Sequence, residues 1–251
     1  MRTRVAGLTF AVIVFAFSAV EAQAPGKWPP DSLINTQVFP KNTPVTQVIG
    51  MMRNFSFGLD VRCQFCHVGE EGQPLTQFDF ASDQKRTKLI ARQMLRMVND
   101  INRRLDSLPQ RGTPPIQVGC ATCHRGLSRP VPLFTVVAEA AIAVNSDSAM
   151  KAYRALRQRY FGKDTYDFSE PTLNIAAFRV GRANKVADAL AILKANEDMF
   201  PNSSAMYVFR GNILLMKPDT AGAAAAFRRA VQLDSTNTEA LGRLRAIGQR
   251  P

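Results

Sequence analysis

Two short motifs of cysteine and histidine constrain this chain more than any other feature of its sequence. Cys63, Cys66 and His67 form one C-x-x-C-H motif, and the segment Cys120–His124 repeats it 57 residues later. Together the two motifs contain all four cysteines and both histidines among the 251 residues. Any fold of this chain must therefore leave the two cysteines and the histidine of each motif able to act together.

Three chemistries use cysteines at this spacing. A disulfide does not need the histidines, and a zinc site of four thiolates also leaves them without a role. Covalent haem accounts for all six residues, because each cysteine forms a thioether with the haem and the adjacent histidine binds the iron. The sequence therefore predicts two covalently attached haem c groups. Cys63, Cys66 and His67 hold the first, and Cys120, Cys123 and His124 hold the second.

The histidine count also limits the second axial ligand of each iron. Because both histidines are used, the remaining candidates are methionine, lysine, tyrosine or an open position. Methionine is the usual ligand in electron-carrying c-type haems, and it raises the reduction potential. Four methionines lie near the motifs in sequence: Met51, Met52, Met94 and Met97. A methionine on an apolar helix face more often fills the core than binds a metal, and the lack of a spare histidine favours the ligand role for one methionine per haem.

Both segments that carry these methionines have the apolar periodicity of helices. In the first segment, residues of one helix face recur at spacings of four, three and four: Val48, Met52, Phe55 and Leu59. The second segment is longer, and Ser82 is its predicted N-cap. The apolar side of this second helix is formed by Ile90, Met94, Met97, Val98, Ile101 and Leu105.

The second helix and the motif after it resemble the cytochrome c subunit of photosynthetic reaction centres. The resemblance covers roughly residues 36–131 and includes spaced residues between the two motifs. The matching residues are Phe80, Ala81, Ser82, Asp83, Lys88, Ala91, Arg92, Met94, Leu95, Met97, Ile101, Asn102, Cys120 to His124, Arg125 and Gly126.

The resemblance implies a haem fold in which a helix before each motif sends a methionine to the iron. Carried over by position, it assigns Met52 to the first haem, with Met51 as the alternate. It assigns Met94 to the second haem, with Met97 as the alternate. The family carries four haems, whereas this chain has motifs for two. In the family, the segment before the second motif also supplies a histidine to another haem, and the corresponding loop of this chain contains no histidine.

The N-terminus predicts export. A basic head precedes an apolar run over residues 5–20, and the small residues that follow suit a signal peptidase. We therefore expect residues 1–22 to be a signal peptide and the mature chain to act in the periplasm. The full chain has a net charge of +12, and removal of Arg2, Arg4 and Glu21 with the signal peptide leaves +11.

A basic surface can attract nucleic acid, anionic lipid or an acidic protein, or simply keep a protein in solution. Nucleic acid does not suit an exported protein, so we expect an acidic redox protein as the partner. A membrane complex such as a reaction centre is a further candidate. Seven basic residues of the second helix, together with Arg125, are expected to bind haem propionates or to form a positive rim: Lys85, Arg86, Lys88, Arg92, Arg96, Arg103 and Arg104.

The second half of the chain differs from the first. Residues 23–134 form the predicted dihaem domain, and residues 135–251 are rich in alanine and align with themselves at an offset of 34. This offset predicts tetratricopeptide-like helical hairpins at 170–203 and 204–237, followed by a capping helix. An ordinary helical bundle is the alternative. The predicted fold class is all-α, a dihaem c-type cytochrome domain followed by these hairpins.

The leading functional prediction is an electron carrier and not an enzyme. A haem enzyme with an open iron position is one alternative, but its chemistry usually needs a nearby acid–base group, most often histidine, and none is spare. An assembly or sensing module in which the repeats carry the function is the other alternative.

Overall fold

The computed structural model describes residues 27–109 and 112–250 of the chain. Over these residues the protein forms ten α-helices and no β-strand, which confirms the predicted all-α class. The helices in chain order are α1 (Val45–Leu59), α2 (Arg86–Asp106), α3 (Cys120–His124), α4 (Leu133–Ala143), α5 (Ser146–Tyr160), α6 (Glu170–Arg182), α7 (Val186–Met199), α8 (Ser204–Leu214), α9 (Thr220–Leu233) and α10 (Thr238–Ala246). The predicted signal peptide, residues 1–22, lies outside the described residues. Within the described ranges, none of the helices has the length and apolar character needed to span a membrane.

The chain forms two compact units. The first contains the described residues up to Gly50 together with Cys63–Arg96, and the second contains Met51–Arg62 together with the described residues from Met97 onward. The divisions fall inside α1 and inside α2. They do not coincide with the predicted domain boundary at residue 134, and the domain assignment stays a prediction.

Helices α4 to α10 form a series of helical hairpins in the second unit. Helix α4 packs on α5, α6 on α7 and α8 on α9, and α10 packs on α9 at the end of the series. Neighbouring hairpins contact each other through α4 with α6 and α6 with α8. Each hairpin therefore covers the apolar face of the next, which is how stacked helical repeats bury a continuous core.

The helix starts recur at the predicted offset. Helices α6, α8 and α10 begin at Glu170, Ser204 and Thr238, and α7 and α9 begin at Val186 and Thr220, so each pair of equivalent starts is 34 residues apart. The helical hairpins predicted for this half of the chain are confirmed. Their assignment to the tetratricopeptide class stays a prediction.

Core packing differs between the two equivalent hairpins at one pair of positions. The first hairpin has Ala177 and Leu193 in its core, and both are fully buried. The second has Gly211 and Phe227 at the aligned positions, and Phe227 is also fully buried. The larger ring faces the smaller residue, so the two hairpins fill the same space with different side chains.

Several helices of this half begin with a side-chain cap. Asn145, Ser203, Asp219 and Asn237 each accept a hydrogen bond from the backbone N–H three residues further on. Such a cap satisfies one of the free N–H groups of the first turn and contributes about 1 kcal/mol.

The predicted cap of α2 is wrong. This helix begins at Arg86, four residues after Ser82. The Ser82 hydroxyl instead accepts a hydrogen bond from the Gln84 N–H at 3.2 Å, in the turn before the helix. Ser82 therefore stabilises a local turn and does not cap the helix. A serine side chain can form either kind of hydrogen bond, and the two compete.

Candidate haem-binding motifs

The first motif closes into one helical turn. A 3-10 turn begins at Cys63, whose carbonyl accepts hydrogen bonds from the Cys66 N–H at 3.2 Å and the His67 N–H at 2.9 Å. Side chains three and four residues apart lie on the same side of such a turn. The turn therefore directs both cysteines and the histidine toward one side, as attachment to a single planar ligand requires.

The second motif is the whole of α3, so the same spacing again lies within one helical turn. The Thr122 hydroxyl accepts a hydrogen bond from the Gly119 N–H at 3.0 Å at its start, and Arg125 ends it in the left-handed conformation with φ 49°. The end of α1, in the same unit, is bound directly to this turn. The Gly126 N–H donates to the Gly58 carbonyl at 2.9 Å.

The His124 ring is held in a tautomer suited to binding a metal. Its Nδ1 lies 2.6 Å from the Leu127 carbonyl oxygen. Because a carbonyl oxygen can only accept, Nδ1 carries the proton and Nε2 keeps its lone pair. Metal-binding histidines commonly donate their other N–H to a carbonyl in this way. His124 therefore fits the role of an axial iron ligand.

The His67 ring is held by packing. Its Nδ1 is buried and makes no well-formed hydrogen bond to the described residues, although the Phe80 backbone lies close enough to influence the pKa of the ring. The ring meets Phe80 in an edge-on arrangement, with ring centroids 4.9 Å apart and planes at 64°. Burial, reinforced by the Lys88 ammonium, lowers the pKa of His67 to about 4. The imidazole is therefore neutral near pH 7, as a metal-binding histidine must be.

The cysteines fit covalent haem better than zinc. All four are free thiols, and burial raises the pKa of Cys66 and of Cys120. A zinc site of four thiolates would leave both histidines without a role, whereas covalent haem uses all six side chains. Within the part of the chain that the structure describes, no three cysteine, histidine, aspartate or glutamate side chains are grouped to hold a metal ion.

The four candidate methionines lie on two helices. Met51 and Met52 are partly buried on α1, whereas Met94 and Met97 on α2 are 40% and 46% exposed. At these exposures neither methionine of α2 is packed in a protein core. Ile90 on the same stripe is likewise 45% exposed. An exposed apolar stripe that carries thioethers suits a large apolar ligand. The assignment of Met52 and Met94 to particular irons stays a prediction.

Two of the basic residues on α2 do not lie where they were expected. Lys88 and Arg92 were predicted to bind propionates or to form the positive rim, but they are only 9% and 8% exposed. Both are paired with Asp83. The sequence held one signal of this role, because all three residues are among those that match the cytochrome family. Of the remaining basic residues on this helix, those that are exposed are Arg86, Arg96, Arg103 and Arg104.

A cavity of about 330 Å³ lies beside the second motif within the second unit. It is lined by Cys123 and His124 and, from the connection between α5 and α6, by residues 165–167. The Thr165 hydroxyl donates to the Arg125 carbonyl at 2.9 Å and ties this connection to the end of the motif. The hairpin region therefore contributes to the surroundings of the second motif.

Comparison with known proteins agrees with the geometry of the motifs. Residues 45–162, which are 118 of the 251 residues and include both motifs, match the photosynthetic reaction centre cytochrome C subunit family. No curated protein matches the chain. The family match implies covalently bound haem c and indicates a haem electron-transfer role, that of a carrier rather than an enzyme.

Proposed function

We propose that the protein is a dihaem c-type cytochrome of the periplasm that transfers electrons between redox partners. The observation that carries this proposal is the geometry of the two motifs. Each lies within one helical turn, and its spacings of three and four residues are those that place two thiols and a histidine on one side of a turn. The periplasmic location follows from the predicted signal peptide, residues 1–22.

The residues of each motif divide the work of holding a haem. When bound, each haem takes up and releases one electron, and the protein supplies its attachment, axial ligands and burial. The cysteines would form the thioether links, and the adjacent histidine and one methionine would bind each iron. The first site comprises Cys63, Cys66, His67 and Met52, and the second comprises Cys120, Cys123, His124 and Met94.

The test of this proposal is the number and state of the haems in the exported protein. We expect two haems per chain by mass, retained after denaturation because thioether bonds survive it. The spectrum of the ferrous protein should not change on addition of carbon monoxide, because a histidine and a methionine would leave neither iron an open position. One haem, bound zinc, or carbon monoxide binding to the wild-type protein would contradict the proposal, the last in favour of an enzyme with an open site.

The partner we propose is an acidic redox protein, with a membrane complex such as a reaction centre as a larger candidate and no role for nucleic acid. The support is the net charge of +12 and the exposed arginines of α2, among them Arg86, Arg96 and Arg104. Such surfaces accelerate encounter with a partner of opposite charge. The rate of electron exchange with an acidic redox protein should therefore fall with salt, because screening shortens from about 30 Å at 0.01 M to about 8 Å at 0.15 M.

The control for this rate is a basic redox protein of similar size and potential. It should react more slowly at low salt and should gain, not lose, rate as salt rises. Equal rates for the two partners, or a rate with the acidic partner that does not depend on salt, would reduce the surplus charge to a solubility role.

The hairpins of the second half are proposed to be tetratricopeptide-like repeats. The support is the recurrence of helix starts every 34 residues and the packing of each hairpin on the next. Stacked repeats of this kind offer an extended surface to a partner. They add a docking surface to the carrier and no catalytic group.

A further inference from the structure

The loop between the first motif and α2 is fastened by one buried lysine. The Lys88 Nζ donates hydrogen bonds to three successive backbone carbonyls, those of Phe80 at 2.9 Å, Ala81 at 3.0 Å and Ser82 at 2.8 Å. An ammonium has three N–H donors, so these carbonyls use all of them. The same Nζ lies 3.1 Å from the Asp83 carboxylate. Four consecutive residues are thereby held to a single atom.

An arginine one helical turn further along α2 completes this clamp. Arg92 donates to the Asp83 carboxylate at 2.9 Å and to the Asn35 carbonyl at 3.1 Å. The Asn35 amide in turn donates to the Ala81 carbonyl at 2.6 Å. A buried charge is costly unless it is paired and hydrogen-bonded, and both cations here are paired with Asp83 and donate to backbone carbonyls.

The clamped loop carries the ring that packs on the first histidine. The Phe80 ring contacts the rings of His67 and Trp28, with centroid distances of 4.9 Å to each, and is stacked with Phe78 at 5.5 Å. Lys88 fixes the main chain of Phe80, and these aromatic contacts fix its side chain. The position of Phe80 is therefore determined from both ends.

The two histidines are oriented by different means. His124 has a carbonyl partner for Nδ1, at Leu127. The buried Nδ1 of His67 makes no well-formed hydrogen bond to the described residues, and Phe80 is the neighbour that restrains this ring, through its backbone as well as its own ring. The plane of an axial imidazole affects the electronic structure of a haem iron, and contacts around the ligand are a means of setting its properties.

We propose that Lys88 is a positioning residue for His67, because it clamps the Phe80–Asp83 loop and so holds the Phe80 ring against the imidazole of the first haem's ligand. This inference rests on the proposed haem function. It assigns Arg92 and Asp83 a supporting part, since they restrain the other end of the same loop.

The proposal separates two effects that Lys88 exerts. As a buried cation it disfavours the more positive oxidised iron, so its loss should lower the reduction potential of the first haem. As a clamp it orients His67, so its loss should also change the nuclear magnetic resonance shifts of the first haem's methyl groups, which respond to the plane of the axial histidine. Substitution of Phe80 should change the second property without removing any charge.

The experiment uses the full-length exported protein with its haems attached. Lys88→Met and Phe80→Leu are compared with wild type by haem methyl shifts of the oxidised protein and by redox titration of each haem. Lys41→Met, at an exposed lysine of the same unit, is the matched control. We expect both variants to displace the methyl resonances of the first haem only, and Lys88→Met also to lower its potential, with the second haem unaffected.

Each other outcome has a defined meaning. If Lys88→Met lowers the potential but leaves the methyl shifts unchanged, or if Phe80→Leu leaves them unchanged, the positioning role is overturned. Equal displacement at both haems would indicate general loosening and would also overturn it. If Lys88→Met incorporates haem poorly, Lys88→Arg is measured in its place. It keeps the charge and part of the clamp, so its haem methyl shifts should lie closer to those of wild type. A wild-type protein without a first haem would instead refute the proposed function.

Discussion

Replacement of Gly211 by alanine should destabilise the hairpin region, although alanine favours helix over glycine. A Cβ at this position of α8 would overlap Cε1 of Phe227 and lie 2.6 Å from its Cζ. Phe227 is fully buried, so its ring can move only by displacing other core side chains. Helix propensity gains about 1 kcal/mol, whereas overpacking costs about 1–3 kcal/mol. Because the contact is so short, we expect a net loss of about 1–2 kcal/mol.

Two further variants isolate the cause. Gly242→Ala, on α10, is the matched control, because a Cβ there would have nothing within 4 Å. It should gain stability by up to about 1 kcal/mol from propensity alone. Phe227→Leu is the rescue, because the aligned hairpin combines Ala177 with Leu193 in the same places. The double variant should be more stable than the sum of its single changes predicts, by about 1–2 kcal/mol of coupling.

The assay is urea unfolding of the haem-loaded chain, followed by far-ultraviolet circular dichroism for the helices and by haem absorbance for the motifs. Two probes are needed because a protein with bound cofactors need not unfold in one step. A change in the midpoint at constant slope reports stability. If Gly211→Ala is stabilised as much as Gly242→Ala, the close packing of Gly211 on Phe227 does not constrain the core.

Three other predictions test the sites and the domains. Met52→Ala and Met94→Ala should each open one ferrous iron to carbon monoxide in the absorption spectrum, whereas alanine at the neighbouring alternates should not. The Arg92 guanidinium holds the pKa of Asp83 well below its usual range. The ionised Asp83 therefore stabilises the fold above about pH 4, and this stabilisation is lost as the pH falls further. Asp83→Asn lacks the titrating carboxyl, so the urea midpoint of this variant should decrease less steeply than that of wild type below pH ~4. Residues 135–251, expressed alone, should be strongly helical and melt cooperatively; a helical fragment that melts without a cooperative transition would contradict independent folding.

Local signals predicted the helices well. The offset of 34 predicted where equivalent helices begin, because small and large core residues must recur at fixed places for hairpins to stack. Apolar periodicity likewise predicted the helices that became α1 and α2. It did not predict the start of α2, because Ser82 and Asp83 take part in turn and ion-pair contacts that precede the helix.

Contacts between distant parts of the chain were not predictable from local patterns. Arg92 binds the carbonyl of Asn35, 57 residues earlier in the chain. A backbone carbonyl belongs to every residue, so no residue type in the sequence marks this partner. The approach of α1 to α3 is of the same kind. A Cβ at Gly58 would lie 3.1 Å from the Ala121 backbone nitrogen. A single glycine within a helix does not by itself predict such a close contact.

The positive charges of this protein fall into two groups, those buried like Lys88 and those exposed on the surface. A cation whose three donors all bind backbone carbonyls cannot contact a partner, whereas the exposed Arg96 on the same helix can. Salt screens exposed charges far more than buried ones. Arg96→Met should therefore slow electron exchange with an acidic redox protein and weaken its salt dependence, and should leave the haem potentials unchanged.

Lys88→Met should do the reverse, lowering the potential of the first haem while the salt dependence of the exchange rate stays close to that of wild type. The measurement is the second-order rate constant for each variant over rising salt, compared at equal driving force so that the change in potential does not enter. If both variants weaken the salt dependence equally, the partner responds to the total charge of the molecule. If only Arg96→Met does, the partner responds to an exposed surface on α2, and the charge buried beside His67 serves the haem alone.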